Sequence, residues 1–109
     1  MTDLSIEGWS ASEQLVAREA FARAYDRAIQ ALSQEVHHRA ATLDSAESIW
    51  SLHDYLSIER HKIEGRFDFR FDGLLFVFAS LVKDDLLEAQ ELVGLSDDKL
   101  AKISAMARF

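Results

Sequence analysis

The sequence has no cysteine and no proline, and only four glycines in 109 residues. Without cysteine there is no disulfide framework and no thiolate chemistry, a composition that suits a reducing compartment. Without proline, no position is barred from helix by ring geometry. No Gly-rich phosphate loop is present, and no serine sits among nucleophile-elbow glycines, so phosphoryl transfer and serine hydrolysis lack an anchor. Positive charge is also in deficit. Twelve Lys and Arg stand against nineteen Asp and Glu, a formal charge of −7. Such a chain repels phosphate backbones, so nucleic acid is not an expected partner. The longest strongly apolar stretch, residues 74–82, is too short to span a bilayer. The first seven residues are acidic and lack a basic n-region, so no signal peptide is read there and a cytoplasmic location is expected.

What is present is helical pattern over a length that suits one domain. Residues 1–9 read as a loose arm. Ser10 with Glu13 forms a capping-box signature, and no Gly follows until Gly65. Over residues 11–41 the side chains of Phe21, Tyr25, Ala28, Leu32 and Val36 recur at helical spacing and make one apolar stripe. Glu19 with Arg23 and Glu35 with Arg39 are i,i+4 pairs for the outer surface. Some thirty residues at about 1.5 Å each span roughly 45 Å. A compact domain of this size has a diameter of only about 34 Å. Part of the stripe must therefore overhang the chain's own core; an antiparallel second copy is the commonest cover, and a swung-out helix packed on a different protein is the rival.

Asp44 with Glu47 is read as the cap of a second helix over residues 46–64, ended by Gly65. Its apolar face is Ile49, Leu52, Leu56 and Ile63. Next, Phe67, Phe69 and Phe71 alternate with Asp68, Arg70 and Asp72, which is a strand period. With Asp72-Gly73 following, the local pattern resembles a hairpin. An isolated hairpin is marginal, however, and no third strand is on offer. A helix over residues 74–87 is preferred, with Leu75, Phe78, Val82 and Leu86 on one side. A short helical piece over residues 86–92 ends at Gly94. Ser96 then starts a last helix, with Leu100, Ile103 and Met106 as its inner edge. The late acids, Asp84, Asp85, Glu88, Glu91, Asp97 and Asp98, read as a solvated face.

One constellation stands out on the second helix. With Trp50 as the zero of angle, His53 lies near ~−60°, Asp54 near ~+40°, Ser57 near ~−20°, Arg60 near ~−80° and His61 near ~+20°. Trp and Arg dominate binding hot spots, and here polar residues surround them. Two readings fit: a partner surface, or Trp50 packed under a neighbouring helix amid solvated polar side chains. Glu35-Val36-His37-His38 carries one E-x-x-H, whereas a di-iron bundle needs two with two further glutamates. His37 and His38 are read as surface residues, and no cofactor is expected.

The run Ile49-Trp50-Ser51-Leu52-His53-Asp54-Tyr55-Leu56-Ser57, followed by Arg60-His61-Lys62-Ile63-Glu64-Gly65, resembles the signature of the fluorescence recovery protein family. Phe76-Val77-Phe78-Ala79, the tail from Lys102 to Arg108, and Trp9-Ser10 fall in a similar register. The resemblance implies an all-α fold in which long antiparallel helices form a homodimer, with a small helical head. The single domain of residues 1–109 then divides into a long-helix dimerisation region, 10–64, and a head, 66–109. It implies a regulator, not an enzyme. The implied partner is the orange carotenoid protein in its light-activated red form, bound through its carboxy-terminal domain. Its reversion to the orange form and its release from the phycobilisome are implied to be accelerated, ending photoprotective quenching. The matching functional positions are Trp50, His53, Asp54, Arg60, Phe76 and Lys102. A peripheral place on the cytoplasmic side of thylakoid membranes is compatible with this. Residues 67–73 are more aromatic and glycine-bearing than the family pattern, so the entry to the third helix is expected either to be looser or to begin later. Two other readings stay open: a helical dimeric adaptor of the same fold with an unrelated partner, and a metal-dependent bundle.

Overall fold

The computed structural model describes residues 8–109. It contains four α-helices: α1 (Ala11–Ala40), α2 (Ala46–Arg66), α3 (Leu74–Lys83) and α4 (Asp97–Ala107), with a 3₁₀ turn at Ala89–Leu92 before α4. No strand forms among the described residues. The all-α expectation holds, and helix is the state of residues 74–83.

α1 begins as the capping box requires. Ser10 Oγ accepts from the Glu13 N–H at 3.2 Å, and Glu13 accepts from the Ser10 N–H at 3.0 Å. Its fully buried apolar positions are Ala17, Ala20 and Ala24. Small residues there let other backbone come close. Beside them, Gly94 at φ +114° meets the larger Val16, where an added Cβ would stand 2.7 Å from Val16 Cγ2. The core lies at this end of α1, where Leu74, Phe78, Leu81, Leu87, Leu92, Leu95 and Ile103 are buried together with Trp9. Most of the loose-arm expectation, residues 1–7, lies outside the described residues. Trp9 corrects the remainder, since it is a core residue with its ring 5.2 Å from that of Phe71.

The strand period of residues 67–71 has a different cause from pairing. The segment crosses α1 in irregular form, and its alternate phenylalanines face the helix. The Phe21 ring lies 5.5 Å from Phe67 and 4.9 Å from Phe69, edge to face. Phe69 continues to Phe71 at 5.1 Å, and Tyr25 meets Phe67 at 5.2 Å. With Trp9 this makes a chain of six rings, each edge-to-face pair worth about 0.5–1.5 kcal/mol beyond its burial. The polar alternates, Asp68 and Arg70, bond each other outside at 2.9 Å.

Three element boundaries differ from the sequence reading. α2 is capped by Ser45, not Asp44: Ser45 Oγ accepts from the Ser48 N–H at 3.1 Å, and Ser48 Oγ accepts from the Ser45 N–H at 3.1 Å. α2 also runs through Gly65 to Arg66, whose guanidinium reaches Ser80 Oγ at 3.0 Å and the Asp84 carboxylate. That anchorage on α3 carries the helix past the glycine. α3 stops at Lys83 and does not continue to Leu87. There the Leu86 N–H bonds the Leu81 carbonyl at 2.9 Å, the Asp85 N–H bonds Val82, and Asp85 takes φ +60°. These are the bonds of a Schellman motif, which terminates a helix. Of the short helical piece expected over residues 86–92, a bend occupies the start and only Ala89–Leu92 is helical, as a 3₁₀ turn. Arg23 lies 3.4 Å from Glu91, so its carboxylate partner is Glu91 and not the expected Glu19.

No residue from 25 to 73 is fully buried. The molecule measures 58 × 34 × 17 Å with a radius of gyration of 17.3 Å. A compact chain of this length would give about 13 Å. The expected overhang is therefore present: Leu32, Val36, Leu52, Leu56 and Ile63 are only half-covered, and Tyr25 and Ile49 are exposed.

Candidate functional site

α2 buries none of its 21 residues within the chain. An ordinary surface helix is half-sunk by one apolar stripe. Here that stripe meets α1 only partially, so most of the helix surface is available to something else. Arg39 of α1 links the two helices: its guanidinium lies 3.8 Å over the Tyr55 ring, while its Nε donates to Glu35 at 2.8 Å. The expected Glu35–Arg39 pair is thus present.

Trp50 stands outward at 64% exposure, so it is not packed under a neighbouring helix of its own chain. His53, one turn on, sets its ring edge-on to the indole at 6.2 Å. His53 Nδ1 and Asp54 Oδ1 lie 3.3 Å apart. Arg60 Nε donates to Glu64 at 2.7 Å, and both side chains are well exposed. An exposed pair of this kind contributes at most about 1 kcal/mol, so Arg60 can exchange Glu64 for another carboxylate at little cost. Ser57 and His61 complete the exposed strip. Trp50, His53, Asp54 and Arg60 therefore share one solvent face, as their spacing predicts.

The other two candidates lie in the head. Phe76 is on the outer side of α3 at 71% exposure. Lys102 on α4 is exposed and holds Asp98 at 3.2 Å. A large apolar side chain left in water is the informative kind of surface residue, and Trp50 and Phe76 both qualify. Beside α2 the sequence reading passed over Ile58, which is 56% exposed and lies one turn beyond Asp54. Its signal was an isolated β-branched residue on the polar side of the helix.

Two carboxylates fasten the head and are not free for a ligand. Glu91 accepts from Arg27 at 2.6 and 2.8 Å, and this ion pair, opposed by burial, holds its pKa at about 2. Glu13 is held at about 2 by the Ser10 N–H, against burial, with the Ser96 N–H and Lys99 adding to it. Among the described residues no three His, Asp or Glu side chains are grouped to hold a metal. Glu35, the acid of the E-x-x-H, is engaged by Arg39. No helix among the described residues is long and apolar enough to cross a membrane. The surface offers aromatic area, a guanidinium and carboxylates in water, which is the chemistry of protein recognition.

Comparison with known proteins places the molecule. Residues 9–107 match the family described as photoprotection regulator fluorescence recovery protein. The fluorescence recovery protein of Synechocystis sp. is 41% identical over 100 residues, covering 92% of each chain. The solved structure of the Fremyella diplosiphon fluorescence recovery protein is 46% identical and superposes with a TM-score of 0.88, covering 93% of this chain and 99% of that one. The Synechocystis structure gives 40% identity and a TM-score of 0.88, with the same coverage.

Proposed function

Because this chain belongs to the photoprotection regulator fluorescence recovery protein family, we propose that it binds the light-activated red form of the orange carotenoid protein and returns it to the orange form. On this reading it also helps that protein leave the phycobilisome, so that photoprotective quenching ends. The contact is with the partner's carboxy-terminal domain, through Trp50, His53, Asp54 and Arg60 on α2 and Phe76 and Lys102 in the head. The single observation that carries the reading is an exposed Trp50 among solvated polar side chains, on a helix with no fully buried residue.

The mechanism is differential binding. A protein that prefers one conformer shifts the equilibrium by its differential affinity and no further. To speed reversion it must hold the transition state of domain re-closure more tightly than the red form. Trp50 supplies rigid apolar area and Arg60 a planar fork for a carboxylate. Phe76 adds apolar area, and Lys102 steers by charge.

The protein acts as a homodimer. The half-covered stripe of Leu32, Val36, Leu52, Leu56 and Ile63 supports an antiparallel second copy along the long helices.

The test is reversion in the dark. Red orange carotenoid protein, mixed with this protein, should lose its red absorbance faster than alone. Equal decay defeats the proposal. Arg60→Leu should cut the acceleration roughly ten-fold, the loss of about 1.4 kcal/mol of contact, with helicity unchanged.

A further inference from the structure

α2 carries apolar side chains on two separate sides. Ile49, Leu52, Leu56 and Ile63 form the stripe that a second copy would cover. Ile58 lies about 150° round the helix from the middle of that stripe. One packed helix covers a sector of roughly 100°, so whatever covers Leu52 and Leu56 leaves Ile58 in water. Lone exposed apolar residues are ordinary. Ile58 is not alone, because Trp50 stands two turns back at about 12 Å along the axis and about 80° round it. Asp54 lies midway, one turn from each. Ile58 also borders a shallow groove with Ser57, His61 and Lys62.

Charge on this ridge is not balanced. Arg60 and Glu64 neutralise each other. Among the described residues, the ion-pair partner of Asp54 is the ring of His53, which carries charge only when protonated. A carboxylate between two apolar side chains favours a cation on the opposing surface.

We propose that Ile58 is a second apolar anchor and that Trp50, Asp54 and Ile58 act as one reading unit. The unit fits a folded protein surface with two apolar recesses about 12 Å apart and a Lys or Arg side chain between them. This rests on the functional reading above and specifies the face of the carotenoid protein that α2 meets. It also assigns the sides of α2: stripe to the second copy, Trp50–Ile58 ridge to the partner. Trp50 gives the larger area. Ile58 fixes the axial register, since a helix held at two points cannot slide or roll.

The experiment compares wild type, Ile58→Ala and Ile58→Leu in the dark reversion assay, with helicity by circular dichroism and mass by light scattering. Ile58→Ala should lower the acceleration about five- to ten-fold at unchanged helicity and mass, and Ile58→Leu should keep most of it. The wild-type acceleration should weaken with added salt, and Asp54→Asn should flatten that dependence. If Ile58→Ala matches an active wild type, the inference is overturned and the functional reading stands. If Ile58→Ala changes the mass, the residue serves contact between copies and the inference is equally overturned. An acceleration indifferent to salt removes the facing cation. If wild type itself fails to accelerate reversion, the functional reading falls and takes this one with it.

Discussion

Lys99 and Glu13 are separated by 86 residues, yet the Lys99 ammonium meets the Glu13 carboxylate at 3.1 Å. The same carboxylate accepts the Ser96 N–H at 2.8 Å and the Ser10 N–H at 3.0 Å. One side chain thereby caps its own helix and clamps the start of α4 against it. The Lys99 ammonium also lies 4.8 Å over the Trp9 ring.

This clamp sets an acid limit on the fold. Glu13 and Glu91 drop from an ordinary 4.5 to about 2 on folding. A depressed carboxylate contributes its full stability above the unfolded pKa and loses it as pH falls through the folded one. Stability should therefore be level above about pH 5 and decline between about pH 4.5 and 2. Urea midpoints at several pH values measure this. Glu13→Gln should cost about 2 kcal/mol at neutral pH and flatten the acid decline.

Asp85 closes α3 with φ +60°, a conformation that costs a side-chain-bearing residue about 1–2 kcal/mol. Asp85→Gly should raise stability by about 0.5–1 kcal/mol, because glycine takes that geometry freely but also gains freedom when unfolded. The denaturation midpoint should move up with the slope unchanged.

Gly94→Ala should do the reverse. The new methyl meets Val16 Cγ2 at 2.7 Å and the backbone is at φ +114°. A loss of about 2–3 kcal/mol is expected. Val16→Ala in the same chain should recover the steric part and leave the backbone part. A double-mutant cycle separates the two.

Two phenylalanines of α3, two residues apart, should behave oppositely. Phe78 is fully buried, and Phe78→Ala should cost about 3–5 kcal/mol. Phe76→Ala should change stability by less than about 0.5 kcal/mol while reducing the response of the carotenoid protein. Thermal melts and the reversion assay together report the contrast.

Local chemistry made much of this fold legible. The Ser10–Glu13 box, the Ser96 cap, the inner edge of α4 and the face bearing Trp50 and Arg60 depend on residues within a turn of one another. Several misreadings came where a distant residue decided. Arg66 reaching Ser80 and Asp84 carries α2 past Gly65. The rings of Phe21 and Tyr25, not a second strand, account for the alternation of Phe67, Phe69 and Phe71. α1 docks the head through three alanines, which a search for large apolar residues passes over. Trp9 looked like part of an arm because its partner Phe71 lies 62 positions later. Ile58 was missed for another reason: attention to the polar face excluded an aliphatic residue from it.

The head closes around its own interior, but no residue from Tyr25 to Gly65 is fully buried. The backbone amides of that span should exchange with deuterium sooner than those of α3 and α4. The protection they do acquire should grow with protein concentration, so that the rigidity of the long arm becomes a property of the population rather than of the single molecule.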